Sequence, residues 1–357
     1  MKLTSSENKN SPAEDKQIGL GSSNCSEFVS VVIPCYNEER YILKALRQLA
    51  DQYDKSRYEL VVVDGGSVDK TRDVVEEFRL EQPDVAIRLI DNPARNIPTA
   101  LNLGIAAARG NIIARMDAHA VPSTGYIRRC VEVLRDVEAA VVGMPCHIRP
   151  GSSGLIAQSI ASAVSNPFGI GDATYRLPKG TSPQESVDTV AFACFRKSLW
   201  EELGGFNEAL LTNEDYDFNY RVRLSGRQVI LDRGGYCDYF ARTTIGDLAR
   251  QYARYGRWKA RMVRLHPRST KVRHLAAPIF VLSLVGLAVL ALAWPIFSLL
   301  LLAEVTLYFA LALAFSRDLI AENSGGIRMW LLMPVLFSII HLVWGINFLI
   351  GLVSEPK

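Results

Sequence analysis

The β-branched run in "NIIARMDAH" ends on a carboxylate, Asp117, followed two residues later by an imidazole, His119. Both groups can ligate a divalent cation, and imidazole in place of a hard oxygen favours Mn2+ over Mg2+. The structural alternative is that His119 caps the next loop and Asp117 acts alone. A second acidic pair, Glu214 and Asp215, opens the helix-period stretch "LLTNEDYDFNYRVRLSG". Acids in a first turn complement the helix dipole, with Thr212 as a candidate cap, so this pair alone does not demand catalysis. A third cluster, "VVVDGGSVDKT", sets Asp64 before two glycines. It reads as a turn with Ser67 capping a helix, or as a point where the backbone approaches a ligand closely.

Short β-rich runs alternate with helix-period segments: "FVSVVIP" before 39–52, "YELVVVD" before 68–79, "VAIRLID" before 97–108 and "NIIARMD" before 124–136. Crossovers of helical length predict a mostly parallel sheet with helices on both faces. In such sheets ligands bind outside the carboxyl ends of the strands. The polar clusters "CYNEE", "DGGSVDKT", "DNPARN" and "DAH" all fall there. Singly, Asn37 and Glu38 are no more than a helix start, and Arg95 is a loop charge. Four clusters on one sheet edge define a crevice.

Half of the 357 residues are apolar, and the net charge of +3 is too small to imply a nucleic-acid partner. Six cysteines without a C-x-x-C pair suit a reducing compartment and argue against a zinc ribbon. The first 26 residues are polar, without the apolar core of a signal peptide, so they are expected to be a disordered tail before a cytoplasmic catalytic domain at 27–243. Between 275 and 316 the only charged side chain is Glu304. A helix of that length would reach about 60 Å, roughly twice the hydrocarbon thickness, so it must divide, and Trp294-Pro295 is the break. With a third run after the hinge "SRDLIAENSGGIR", three spans are expected at 275–294, 296–316 and 329–352. Between them and the catalytic domain, 244–274 reads as a basic amphipathic interfacial helix. Residues 248–274 hold nine Lys or Arg and no acid. Leu248, Tyr252, Tyr255, Trp258, Met262 and Leu265 form its apolar stripe, expected to lie on membrane lipid at the cytoplasmic surface. The basic residues before 275 and in the hinge predict a C-terminus outside the cytoplasm, and Glu304 should face protein.

Taken in order, "VSVVIPCYNEERYI", "ELVVVDGGSVDKT", "NPARNIPTALNLGIAAARGNIIARMDAH", "GGFNEALLTNEDYDFNYRVRLSG" and "QYARYGRWK" resemble the family-2 glycosyltransferases of GT-A fold, a Rossmann-like α/β domain here followed by an α-helical membrane region. The C-terminal "HLVWGINFLIGL" resembles most the succinoglycan-type exopolysaccharide membrane glucosyltransferases. By position, the resemblance implies that Pro34, Tyr36 and Glu38 line a nucleoside pocket, that Asp64 bonds the uracil ring, and that Arg95 and Asn96 lie near the sugar or diphosphate. Asp117 would touch the donor and, with His119 where the family usually has a second Asp, hold Mn2+ or Mg2+. Asp215 would be the catalytic base of an inverting transfer. Gly205, Glu214, Gln251 and Arg254 would form the acceptor and diphosphate region, the last two in a Q-x-x-R-Y variant of the family's Q-x-x-R-W. That Tyr for Trp favours addition of a single sugar.

The function implied is transfer of a hexose from a UDP-sugar to a polyprenyl-diphosphate-linked saccharide, in exopolysaccharide or related surface-glycan synthesis at the inner face of the cytoplasmic membrane. A polyprenyl-phosphate acceptor is the alternative among enzymes. A nucleotide-sugar sensor or scaffold is the alternative outside them.

Overall fold

The computed structural model describes residues 27–135, 139–177, 182–320 and 326–355. The tail expected at 1–26 and part of the hinge lie outside them. The expected alternation appears as β1 (Val29–Cys35), α1 (Ile42–Leu49), β2 (Tyr58–Asp64), α2 (Thr71–Glu81), β3 (Ala86–Asp91), α3 (Ile97–Ala107) and β4 (Ile112–Arg115). Next come β5 (Val121–Pro122), α4 (Tyr126–Leu134), β6 (Ala139–Gly143), β7 (Cys146–Arg149), α5 (Leu155–Ala163), α6 (Pro167–Ile170), β8 (Gln184–Ser186) and β9 (Cys194–Arg196). The chain continues through α7 (Lys197–Glu202), α8 (Glu214–Leu224), β10 (Gln228–Asp232) and β11 (Cys237–Phe240). Four long helices follow: α9 (Ile245–Leu265), α10 (Val272–Ala291), α11 (Ile296–Phe315) and α12 (Gly326–Val353).

The main sheet runs β3-β2-β1-β4-β9-β6-β10-β8, with β1 to β4 mutually parallel and β8 and β9 reversed. Every residue of β1 and β2 is buried, which is why these strands read as unbroken Val and Ile runs rather than as alternation. Cys35 pairs with Asp64, and Asp64 with Asp91, so the three strands end level and their loops stand side by side. A small sheet, β5-β11-β7, closes the crevice beyond β4.

The stripe on α9 is covered differently from expectation. Leu248, Tyr252, Trp258 and Met262 are buried, and Leu248 and Tyr252 pack in one cluster with Leu336, Phe337 and Ile340 of α12. An apolar stripe requires a cover but does not name it, and here protein supplies the cover where lipid was expected. Three helices, α10, α11 and α12, are long and apolar enough to cross a membrane by length and composition. Glu304 faces protein, as expected: the Ser283 hydroxyl of α10 donates to its Oε1, and Oε2 has no partner among the described residues.

Candidate active site

One cavity of about 790 Å³ lies at the carboxyl ends of the strands. It is lined by six of the candidate site residues: Asp117, His119, Glu214, Asp215, Gln251 and Arg254. Asp117 and His119 follow β4 through a turn in which Ala120 N–H donates to Asp117 C=O at 2.9 Å. His119 Nδ1 lies 3.0 Å from Glu38 Oε1, which joins the loop after β1 to the loop after β4. Burial works against the imidazolium, but the Glu38 hydrogen bond and the charges of Asp117 and Glu38 outweigh it and raise the His119 pKa.

This arrangement fits a cation held jointly by protein and substrate. A carboxylate on one imidazole nitrogen orients the ring and leaves Nε2 for a metal. Among the described residues no group of three or more His, Cys, Asp or Glu stands together as a preformed metal site. A cation held there by Asp117 and His119 would take its remaining positions from anionic oxygens of a ligand.

Across the cavity, α8 begins at Asn213, whose φ of +70° turns the chain into the helix without a side-chain cap. Thr212 is therefore not the cap. Glu214 is buried, and its Oε1 lies 2.9 Å from Arg115 Nη1 at the end of β4. Burial raises the Glu214 carboxyl to about 7 in spite of Arg115, helped by the neighbouring Asp215. Asp215 faces the cavity with Oδ1 accepting from Tyr216 N–H at 2.7 Å. Asp217 is committed elsewhere, to Arg221 Nε at 2.8 Å and His266 Nε2 at 2.9 Å.

The remaining residues fall outside this lining. Tyr36 is half-exposed beside Gly65, and the Arg95 guanidinium lies against Gly66. Pro34 is buried within β1. Asp64 is fully buried and both oxygens are occupied: Gly66 and Ser67 N–H groups, the Ser67 hydroxyl and Arg72 Nη1 all donate to it. Burial raises its pKa, but these partners outweigh burial and hold the carboxyl below its ordinary range. These bonds tie the loop after β2 to the first turn of α2. Asn96 caps α3, its Oδ1 accepting from Thr99 N–H at 2.9 Å. Gly205 sits behind the cavity, where its φ is +78° and an added Cβ would meet Asn102 Oδ1 at 2.9 Å. Both features favour glycine there.

Five basic residues missed in the sequence line the same cavity: Arg115, Arg176, Arg242, Lys259 and Arg273. Arg115 is buried, and its Nε has no hydrogen-bond partner among the described residues. Lys259 is buried with Nζ 3.3 Å from the centre of the Tyr216 ring and forms no ion pair among the described residues. Burial, then Arg273, lowers it to about 7, against the opposing pull of Asp215 and Asp188. The signal for Lys259 was present: it lies four residues after Tyr255 and three before Met262, inside the apolar stripe. Away from the strands the cavity becomes apolar, bounded by Phe280, Tyr308, Leu311, Phe315 and Trp344 of α10 to α12.

A mostly parallel sheet with an acidic and basic crevice at its strand ends is a Rossmann-like GT-A architecture. Residues 30–204 match the family described as glycosyl transferase family 2, and the chain is a family-2 glycosyltransferase. It is 27% identical over 242 residues to the dolichyl N-acetyl-alpha-D-glucosaminyl phosphate 3-beta-D-2,3-diacetamido-2,3-dideoxy-beta-D-glucuronosyltransferase of Methanococcus voltae, covering 66% of this chain and 74% of that protein. To the succinoglycan biosynthesis protein ExoA of Rhizobium meliloti it is 27% identical over 235 residues, 65% of this chain and 68% of that protein. Among solved structures, the mannosyltransferase PcManGT from Pyrobaculum calidifontis, in complex with GDP-Man and Mn2+, superposes with a TM-score of 0.57 over 90% of this chain and 87% of that one at 21% identity. That likeness is one of fold.

Proposed function

We propose that the chain transfers a hexose, with inversion, from a UDP-sugar to a polyprenyl-diphosphate-linked saccharide at the cytoplasmic face of the membrane, in synthesis of an exopolysaccharide or related surface glycan. One observation carries the reading: a single cavity holds Asp117, His119 and Asp215 at one end and Phe280, Tyr308 and Leu311 of the apolar helices at the other. A sugar joined to a lipid needs both environments within one molecule's length. The dolichyl-linked sugar phosphate in the name of the Methanococcus voltae relative supports a polyprenyl-linked sugar as the acceptor.

In this reading Tyr36 offers a ring face to the base and Arg95 a charge to the diphosphate. Asp117 and His119 would hold a divalent cation, Mn2+ in preference to Mg2+, which when bound supplies positive charge against the departing diphosphate. Asp215 accepts the proton of the acceptor hydroxyl as its oxygen bonds to C1 and the bond from C1 to the diphosphate oxygen breaks. Arg115 engages Glu214, which leaves Asp215 as the carboxylate free for that proton. Lys259 and Arg254 provide positive charge for an acceptor phosphate.

The test is to incubate membranes carrying the protein with labelled nucleotide sugars and examine the lipid extract. Label in the lipid fraction from one UDP-sugar is expected. Label in soluble polymer, with none in lipid, would reject the acceptor.

A further inference from the structure

We infer that only α10 and α11 cross the bilayer, as a hairpin, while α12 lies in the membrane plane beneath the catalytic domain, so that the C-terminus is on the catalytic side. The inference rests on the membrane reading above and departs from three spans in series. It starts from α9. This helix carries Arg250, Arg254, Arg257, Arg261 and Arg264 along its length, so it cannot sit in hydrocarbon.

α12 runs alongside α9 for most of that length. Tyr252 packs in one cluster with Phe337 and Ile340. A Cβ on Gly256 would come within 2.4 Å of the Trp344 carbonyl oxygen, and one on Gly351 within 2.9 Å of both Ala260 Cβ and the Arg257 carbonyl oxygen. Arg257 Nε donates to Asn347 Oδ1 at 2.8 Å, and Arg261 and Arg264 both pair with Glu355. Contacts advance in step from Tyr252 with Ile340 to Arg264 with Glu355, so the helices are side by side and the last three turns of α12 share the depth of an arginine-rich helix.

The hairpin gives the second line of evidence. α10 and α11 have 20 residues each, about 30 Å at 1.5 Å per residue, the thickness of the hydrocarbon. Both open ends are tied to the catalytic domain, Arg273 to Asp172 and Asp188, and the Phe315 carbonyl to Asn166 Nδ2. The hydrogen bonds and closest backbone approaches between α12 and this hairpin among the described residues fall at its base. Trp330 Nε1 donates to the Leu313 carbonyl, His341 bonds the Tyr308 hydroxyl, and Gly345 packs on Ala277 and Val281. Those partners lie within about nine residues of the catalytic ends of α10 and α11, although the α12 positions span about 22 Å. A helix parallel to the hairpin would descend by that full length.

α12 is apolar on two opposite faces. Met333, Phe337, Ile340 and Phe348 are buried against protein, whereas Ile327, Leu331, Val335, Ile346, Ile350 and Val353 form one exposed stripe on the other side. A stripe of this kind on a helix that shares the depth of α9 fits the acyl boundary of a lipid surface.

The test uses the full chain in sealed membrane vesicles of both orientations, with Cys25→Ser to remove background and a membrane-impermeant maleimide. Leu80→Cys marks the catalytic domain, Leu292→Cys the hairpin tip and Ser354→Cys the end of α12, all at exposed positions. Ser354→Cys is expected to label from the same face as Leu80→Cys, and Leu292→Cys from the opposite face. Ser354→Cys labelling with the tip would mean that α12 spans, and Leu292→Cys labelling with Leu80→Cys would remove the hairpin. If Ser354→Cys reacts from neither face, a protease-cleavable tag appended after Lys357 gives the same answer by the face from which it is cut. Release of the chain from membranes by alkaline carbonate would instead defeat the membrane reading itself.

Discussion

Arg115 Nη1 lies 2.9 Å from Glu214 Oε1, so the end of β4 is ion-paired with the first turn of α8 at the cavity. Both side chains are nearly excluded from solvent, at 11% and 6% exposure. Losing one partner of a buried pair strands the other, at about 3–5 kcal/mol, whereas replacing both by apolar groups is often neutral. Arg115→Leu should therefore lower stability by about that much, and Arg115→Leu with Glu214→Leu should recover most of it. Denaturant unfolding of the detergent-solubilised protein checks both, with Glu214→Leu alone beside them, and a double-variant loss equal to the sum of the two single losses would mean the pair is not coupled. Glu214, raised to about 7 from an unfolded value of 4.5, holds more protons when folded across that window. Its contribution to stability is complete below 4.5 and is lost as the pH rises through 7.

The bond between His119 and Glu38 makes a separate prediction for the cation. Chelation should abolish transfer, and Mn2+ should restore it better than Mg2+. His119→Ala should raise the Mn2+ concentration required. Glu38→Gln, which touches the ring but not the cation, should weaken metal affinity by about 10- to 100-fold through loss of orientation. A Mn2+ titration of transfer, with a thermal melt of each variant beside it, separates ligation from stability. Full activity of His119→Ala at low Mn2+ would reject the imidazole as a ligand.

Lys259, lowered to about 7, is predicted to read the acceptor's charge. Below that pH it is protonated and attracts phosphate; above it the amine is neutral, so acceptor KM should rise as the pH passes 7. Lys259→Arg should flatten that rise. Lys259→Met should raise acceptor KM at neutral pH by about ten- to a hundred-fold, the loss of a charge-assisted hydrogen bond of about 1.5–3 kcal/mol, with donor KM unchanged. Because folding lowers this pKa from 10.5, the unfolded chain holds more protons between 7 and 10.5, and the lysine's contribution to stability increases with pH there. Farnesyl phosphate, farnesol and inorganic phosphate as competitors give the direct measurement. Equal inhibition by farnesyl phosphate in wild type and Lys259→Met would remove the lysine from the acceptor site.

What the sequence disclosed and withheld follows from range. Strand ends and the spacing of Asp117 and His119 are local, and Val-rich runs with helical crossovers were enough to bring them to one edge. The occupancy of Asp64 was not legible, because Arg72 reaches it from the next helix. Arg115 stood inside a strand and read as part of "NIIARMD", its partner nearly a hundred residues away. The stripe on α9 was legible, but only packing decides whether lipid or α12 covers it.

Asp215 separates an enzyme from a binding module. Its Oδ1 is occupied by Tyr216 N–H, whereas Oδ2 has no hydrogen-bond partner among the described residues, and the side chain lines the cavity. Asp215→Asn keeps size and most hydrogen bonds but cannot take a proton from an attacking hydroxyl, so the loss should fall on turnover and not on UDP-sugar affinity. Removing a general base costs about a hundred- to ten-thousand-fold in rate, roughly 3–5 kcal/mol of barrier. A helix-dipole role would give at most about 1 kcal/mol of stability and leave turnover nearly intact. Donor binding and initial transfer rate are to be measured on the same purified, folded variant. Near-normal turnover would move the base to Glu214, because Asp217 is already bound to Arg221 and His266; weakened donor binding would assign Asp215 to the nucleotide site instead.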